Sequence, residues 1–212
     1  MVLIAPSILS ADFTNLGKEI MKLNDARADF IHIDVMDGHF VKNFTFGHFI
    51  VRQIRGLTKV PFDVHLMVEE PSKMIEWFVN AGADIITIHL EAEEKIKETL
   101  IKIREFGLKA GLSIKVETDL KELEPYLNYV DLILVMSIEP GFSGQKFIQS
   151  QLERIAELKK MIGNRPIKIE VDGGINKENA KECAKAGADI LVAGTVVFEN
   201  GDYKRNIMEL KS

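Results

Sequence analysis

The chain has a single cysteine, Cys183, so it can form no intrachain disulfide, which fits a reducing compartment. Cys183 lies in a helix-like stretch, NKENAKECAKAG (176–187), and reads as a packing residue rather than a nucleophile. No Lys/Arg run or basic patch stands out, and the formal charge over 212 residues is -5. Nucleic acid is therefore not an expected partner. No apolar stretch approaches the roughly 20 residues that a membrane-spanning helix needs. The opening MVLIAPSILSADF has no basic n-region and no small-residue cleavage site after a long apolar run. No signal peptide is read there, and the expected location is cytoplasmic. Low-complexity segments and Pro/Gly/Ser linkers are missing too, which favours one domain over residues 1–212.

What is present is 46% hydrophobic residues, enough for a sizeable core. Short apolar runs recur, each followed by a charged, amphipathic segment. The runs are VLIAPSIL (2–9), DFIHIDVM (29–36), PFDVHLMV (61–68), DIITIHL (84–90), KAGLSIK (109–115), LILVMSI (132–138), IKIEVDG (167–173) and DILVAGT (189–195). Helix-like stretches such as EPSKMIEWFVNAG, EEKIKETLIKIREFG and QSQLERIAELKKMIG lie between them. Gly82, Gly107, Gly163 and Gly187 close helices just before the next run. ARAD (26–29) and AGAD (81–84, 186–189) form a weak repeat that ends a helix and opens a strand. Eight strands alternating with helices predict a parallel sheet with right-handed crossovers. An α/β fold of the (β/α)₈ barrel type is expected. An open doubly wound sheet is the rival, disfavoured because eight is the closing number and no GxGxxG follows the first strand.

Side chains of a strand alternate faces. His32, Asp34 and Met36 therefore share one face, and so do Asp63, His65 and Met67. Glu170 and Asp172 share another, and Leu134, Met136 and Ile138 a fourth. If the apolar faces pack on helices, the polar faces point into the barrel. The later residues of each set then lie at the carboxyl mouth, where barrel active sites form. His32, Asp34, His65 and Asp172 could converge there from three strands. A buried charge is costly unless paired or bound to metal. A divalent cation would stabilise all four, and Zn²⁺, Mn²⁺, Fe²⁺ or Co²⁺ suits such N/O ligands. The alternative is an internal hydrogen-bond network. His39, His48 and His89 read as solvated or packing side chains and are left out of the metal site.

Three glycine features follow late strands: EPGFSGQKF (139–147), DGGIN (172–176) and AGTVVF (193–198). Exposed backbone N–H groups at such turns suit an anion, and phosphate sites in these barrels sit after strands seven and eight. Ser7, at the end of strand one, could add a hydroxyl at the same mouth.

These segments together resemble the ribulose-phosphate 3-epimerase family. The matching stretches are IAPSILSADF (4–13), HIDVMDGHFV (32–41), DVHLMV (63–68), VMSIEPGFSGQKFI (135–148), EVDGGIN (170–176) and VAGTVVF (192–198). The resemblance implies a ribulose-phosphate-binding (β/α)₈ barrel that interconverts D-ribulose 5-phosphate and D-xylulose 5-phosphate. It implies one divalent metal ion, Zn²⁺ first and Fe²⁺, Mn²⁺ or Co²⁺ otherwise, on His32, Asp34, His65 and Asp172. It implies Asp34 and Asp172 as the acid/base pair and Met36, Met67 and Met136 as a layer over the intermediate. Substrate and phosphate contacts fall on Ser7, His65, Gly141, Phe142, Ser143, Gly144, Asp172, Gly173, Gly174, Gly194 and Thr195. The partner implied is a small phosphorylated ketose, with homo-oligomers common in the family. This chain departs from the family's usual residues at Lys42, in NFTFGH (43–48), at Lys115-Val116, Glu139 and Ser143, and in having Thr195 for a frequent Ser. None of these is one of the four ligands. A sister group acting on D-allulose 6-phosphate shares the same core, and a non-catalytic sugar-phosphate sensor is the other alternative. Orotidine-phosphate decarboxylase relatives carry Asp-x-Lys-x-x-Asp on a strand, and DVMDGH (34–39) lacks the lysine.

Overall fold

The computed structural model describes all 212 residues. Its strands are β1 (Leu3–Pro6), β2 (Ile31–Met36), β3 (Phe62–Met67), β4 (Ile85–His89), β5 (Lys109–Ile114), β6 (Leu132–Met136), β7 (Lys168–Asp172) and β8 (Ile190–Ala193). All eight apolar runs thus contain a strand. The strands are parallel and lie in the order β1-β8-β7-β6-β5-β4-β3-β2. The outer strands β1 and β2 meet through the Ser7–His32 bridge and through Ile4 O, which accepts from the Asp29 and Phe30 N–H groups. The sheet therefore curls into a nearly closed barrel, and the open-sheet alternative does not hold.

The helices are α1 (Leu16–Asp25), α2 (His48–Arg55), α3 (Ile75–Ala81), α4 (Ile96–Glu105), α5 (Gln151–Ile162), α6 (Lys177–Ala186), α7 (Thr195–Phe198) and α8 (Tyr203–Leu210). The four glycines expected at helix ends all have positive φ, a conformation that a Cβ disfavours. One crossover departs from the alternation. Between β5 and β6 the chain forms a 3₁₀ stretch, Leu120–Tyr126, in place of an α-helix. Pro125 lies inside it and has no N–H to give to an α-helical ladder.

The two faces of the strands separate as the alternation requires. Ile31, Ile33 and Val35 pack outward into a 50-residue core shared with the helices. Cys183 is fully buried in the same core. Inside the barrel, Ala5, Leu134, Met136, Ile190 and Val192 form a separate apolar cluster on the β1, β6 and β8 side. Facing it are the buried polar side chains of β2, β3, β4, β5 and β7: His32, Asp34, Asp63, His65, Thr87, His89, Ser113 and Glu170. The barrel interior is thus apolar on one side and ionisable on the other.

The ARAD/AGAD repeat has a structural cause at the opposite end of the barrel. Asp29 Oδ2 accepts from Ile4 N at 2.8 Å, Asp84 Oδ2 from Phe62 N at 2.7 Å, and Asp189 Oδ2 from Ile169 N at 3.0 Å. Asp131, outside the repeat, does the same for Ala110 N at 3.0 Å. Each aspartate precedes an even-numbered strand and bonds a backbone N–H near the start of the odd-numbered strand before it. Four backbone donors at the bottom of the barrel thereby find charged acceptors.

Packing inside the barrel also dictates one glycine. Thr87 of β4 is paired with Gly111 of β5. A Cβ on Gly111 would overlap Thr87 Oγ1 and stand 2.9 Å from Thr87 Cβ. Gly111→Ala is expected to lower unfolding stability by about 1–3 kcal/mol, the usual cost of overpacking a closed core. Denaturant unfolding measures it; an unchanged midpoint would show that β4 and β5 can part without cost.

Candidate active site

A cavity of about 620 Å³ opens at the carboxyl ends of the strands. Its walls include Ser7, Asp34, Met36, Met67, Met136, Gly141, Phe142, Ser143, Gly144, Asp172, Gly173, Gly174, Gly194 and Thr195. Residues from β1, β2, β3, β6, β7, β8 and the loops after them are thus gathered round one space. His65, expected among the substrate contacts, is fully buried and is not one of the walls. His32 is equally buried.

Backbone register places the polar groups. Asp34 is paired with His65 across β2 and β3, and Met136 with Asp172 across β6 and β7. Asp34 Oδ2 accepts from the Ser7 hydroxyl at 2.6 Å, and Asp34 Oδ1 lies 3.2 Å from His65 Nδ1 and 3.3 Å from His32 Nε2. Asp172 Oδ2 lies 3.7 Å from His65 Nδ1 and 3.9 Å from His32 Nε2. Ser137 steadies Asp172 from behind: its N–H donates to the Asp172 carbonyl at 2.7 Å and its hydroxyl to the Gly173 carbonyl at 2.7 Å. Thr45 does the same for β2, donating from its hydroxyl to the Asp34 carbonyl at 2.7 Å. Two residues beyond Asp172, a Cβ on Gly174 would overlap the Phe147 nitrogen and stand 2.8 Å from the Gln145 carbonyl oxygen. Its φ is +62°, so glycine is required there on two counts.

One ligand atom from each of His32, Asp34, His65 and Asp172 lies within 4.8 Å of all the others, close enough for one metal ion. His32 Nε2 is buried and has no hydrogen-bond partner. Its Nδ1 lies 2.6 Å from Asp63 Oδ2, a contact that fixes the ring and leaves Nε2 toward the aspartates. Metal-binding histidines are typically held through their other nitrogen in this way. An orphaned imidazole nitrogen facing two carboxylates and a second imidazole fits a divalent cation with N₂O₂ ligands.

The two site aspartates have opposite proton affinities. Burial alone would raise Asp34, but His32 and His65 outweigh it and hold its carboxyl far below the usual range. Asp172 is pushed up to about 6, first by burial and then by the negative charge of Asp34. Burial alone would lower His32; Asp34 and Asp63 outweigh it and hold the ring well above its ordinary value. Glu170, fully buried beneath the site, is pushed well up by burial and by Asp63. Two carboxylates with affinities driven apart are the arrangement that acid/base chemistry needs.

The sequence reading left some participants without a role. Asp63 and Glu170 lie on the inward faces: Asp63 holds the His32 ring at 2.6 Å, and Glu170 lies 3.9 Å from His32 Nδ1 with neither oxygen hydrogen-bonded. His89 is a packing side chain, buried against the Phe40 and His65 rings, and it also makes polar contacts: its Nε2 lies 2.8 Å from His65 Nε2, and its Nδ1 lies 3.3 Å from Glu91 Oε2. Burial pushes His89 down to about 4. The only available signal was its register with Thr87, which the sequence could not connect to His65. His48 packs on Trp77 and Phe78, and His39 is exposed on its loop, as expected of both.

An eight-stranded parallel barrel with a carboxylate pair and a His/Asp cluster that could hold a metal ion at its carboxyl mouth defines a (β/α)₈-barrel enzyme. Comparison with known proteins narrows the class. The sequence pattern of the "Ribulose-phosphate 3 epimerase family" matches residues 3–198. The chain is 48% identical over 214 residues to ribulose-phosphate 3-epimerase of Bacillus subtilis, covering 100% of this chain and 99% of that one. It is 46% identical over 214 residues to the Escherichia coli K12 enzyme of the same name, covering 99% and 95%. Among solved structures, a tryptophan synthase α-subunit from Pyrococcus furiosus superposes with a TM-score of 0.73 at 16% identity, covering 99% of this chain and 97% of that one. That likeness concerns the fold alone. The chain belongs to the ribulose-phosphate 3-epimerase family and is an isomerase of the epimerase kind. No helix is long and apolar enough to cross a membrane.

Proposed function

We propose that the protein inverts C3 of D-ribulose 5-phosphate to give D-xylulose 5-phosphate, and the reverse, by proton transfer through Asp34 and Asp172. The observation that carries this reading is the opposed proton affinity of the two carboxylates, one held ionised and the other at about 6, at the mouth of one cavity. Inversion beside a ketone requires a proton to leave one face of the carbon and another to arrive on the opposite face. One base acting from one side cannot do both readily; two carboxylates can. The ionised member takes the C3 proton while the protonated member delivers its own, and the roles exchange in the reverse direction. Asp34 has the Ser7 hydroxyl and two imidazoles to stabilise its charge between turnovers.

His32, Asp34, His65 and Asp172 would hold the cation, with Zn²⁺ the first choice for two imidazoles and two carboxylates. When bound, it supplies Lewis-acid stabilisation of negative charge on the substrate oxygens. Met36, Met67 and Met136 line the same cavity and present polarisable, apolar sulfur to the reacting carbons, which keeps water away from them. The backbone turns at Gly173, Gly174 and Gly194, with Thr195, are suited to the phosphate.

Coupled assays on D-ribulose 5-phosphate and D-allulose 6-phosphate decide the substrate. The expected result is a kcat/KM at least about tenfold higher on the pentulose, roughly 1.4 kcal/mol of transition-state preference. A higher value on the hexulose would move the assignment to the sister group. Binding of either sugar without deuterium uptake at C3 from heavy water would point to a sensor.

A further inference from the structure

The loop that leaves β6 carries Gly141, Phe142, Ser143 and Gly144 along one wall of the cavity. Its base is closed by the Ile148 N–H, which donates to the Ser137 carbonyl at 3.0 Å. Within it, three carbonyls are taken by side-chain amides. Asn43 Nδ2, from the loop after β2, donates to the Gly141 carbonyl at 2.6 Å. Gln145 Nε2 donates to the Glu139 carbonyl at 2.7 Å and to the Phe142 carbonyl at 2.9 Å. Only the NH₂ end of an amide can meet a carbonyl, so the orientation of both groups is fixed. Asn43 is set further by its own Oδ1, which accepts from the Phe44 N–H at 2.9 Å. The two loops touch beside this bond, since a Cβ on Gly141 would stand 3.3 Å from Val41 Cβ.

A carbonyl that is held also holds the N–H of the next residue. In a planar trans peptide the two groups point in opposite directions, and the chain has no cis peptide bond. The Gly141 carbonyl, drawn to Asn43, therefore turns the Phe142 N–H away from Asn43. The Phe142 carbonyl, drawn to Gln145, turns the Ser143 N–H away from Gln145. Neither N–H has an acceptor in the fold. Phe142 and Ser143 both border the cavity, whereas Asn43 does not. Successive free N–H groups of this kind make a concave anion site. The cavity wall has a single cation, Lys177, and it is paired with Glu209. Neutral donors must therefore meet much of a phosphate's charge. The loop also adjoins the turn at Gly174, whose Cβ position is 2.8 Å from the Gln145 carbonyl oxygen.

We propose that Asn43 and Gln145 are positioning residues for substrate binding: they hold the carbonyls of Gly141 and Phe142 so that the N–H groups of Phe142 and Ser143 are presented to the phosphate of the ketose. The proposal rests on the phosphorylated ketose given above as substrate. The two amides build the anion site before the anion arrives, and donors held in place beforehand lose little freedom on binding. The phosphate does not change during the reaction. Its contacts are therefore equally strong in the ground and transition states, and their loss falls mainly on KM.

Asn43→Asp and Gln145→Glu keep the shape and remove the donor, setting a carboxylate against a carbonyl. Each should raise KM for D-ribulose 5-phosphate and the competitive Ki of inorganic phosphate about 10-fold, near the usual worth of a hydrogen bond to a charged group. The fall in kcat should be smaller. ¹H–¹⁵N spectra of the protein loaded with Zn²⁺ locate the effect. Inorganic phosphate should shift the amide signals of Phe142 and Ser143 in the wild type. Asn43→Asp should reduce the Phe142 shift more than the Ser143 shift, and Gln145→Glu the reverse. A merely structural role would loosen the loop as a whole; equal reduction of both shifts in both variants therefore overturns the proposal. Wild-type KM and phosphate Ki in both folded variants overturn it too, and so do wild-type Phe142 and Ser143 amides that do not respond to phosphate. If the carboxylate variants do not fold, Asn43→Leu and Gln145→Met, of similar shape and uncharged, take their place in the same measurements. If the protein epimerises neither ketose phosphate, the functional reading fails and the phosphate titrations alone judge the positioning.

Discussion

Asp172→Asn is expected to lower epimerisation by about 10³–10⁴-fold or more, the upper part of what a positioned acid/base supplies, while leaving the fold intact. Asparagine has the shape of aspartate but cannot take up or release the proton. The fold does not depend on this side chain, because the backbone of Asp172 is held by Ser137. The sign of the stability change separates lost chemistry from lost folding. A carboxyl raised to about 6 binds its proton more tightly in the folded protein than in the unfolded one. Its contribution is therefore fully present below the unfolded pKa and fades as pH rises through about 6. Without metal at pH 8, the asparagine variant should be at least as heat-stable as the wild type. The intact Asp34 should still exchange the C3 hydrogen of one epimer with heavy water without inverting it. An Asp172→Asn protein with wild-type turnover would sink the two-carboxylate mechanism. Asp34→Asn should be as inactive, and both substitutions should weaken cation binding, since each removes a carboxylate from the four-residue cluster.

His32→Ala should lose divalent-cation binding by more than the 10–100-fold that removing an outer partner costs, because it deletes a ligand and frees the carboxylates it sits among. Elemental analysis after dialysis measures the result, with about one Zn²⁺ per chain expected for the wild type and little for the variant. The metal-free His32 ring is held well above its ordinary pKa by Asp34 and Asp63, so near neutral pH it carries a proton that the cation must displace. Wild-type affinity should therefore rise with pH, and titration calorimetry in buffers of different ionisation enthalpy should detect released protons. In His32→Ala that release should shrink. Circular dichroism checks the fold, since buried carboxylates left without their partner can cost about 3–5 kcal/mol. Full zinc retention in a folded variant would show that the cluster is a polar network.

The inward polar faces of β2, β3 and β7 were readable because strand alternation is local. A residue two positions along points the same way in any sheet, so His32, Asp34, His65 and Asp172 could be grouped before any fold was known. The same logic put Asp63 and Glu170 inside without saying what they touch. The 3₁₀ crossover at Leu120–Tyr126 was hidden, because charged and apolar residues alternate there much as in the true helices and Pro125 is a single signal. The bottom-end aspartates showed as a repeat in three places, but their backbone acceptor role depends on which strand lies alongside.

By itself, the sequence determined the strands, most of the helices with their glycine ends, and the side chains that face inward. These depend on the geometry of a few neighbouring residues. Only the tertiary structure decided that β1 meets β2, that four ligand atoms fall within 4.8 Å, and that His89 touches His65. Apart from His32 and Asp34, which share a strand, those contacts join residues 24 or more apart in the chain, and their distances are set by the closure and register of the barrel. The proton affinities follow from the same closure. Asp34 and Asp172 are the same residue type, and what drives their affinities apart is the burial and the charges that the folded barrel brings to each.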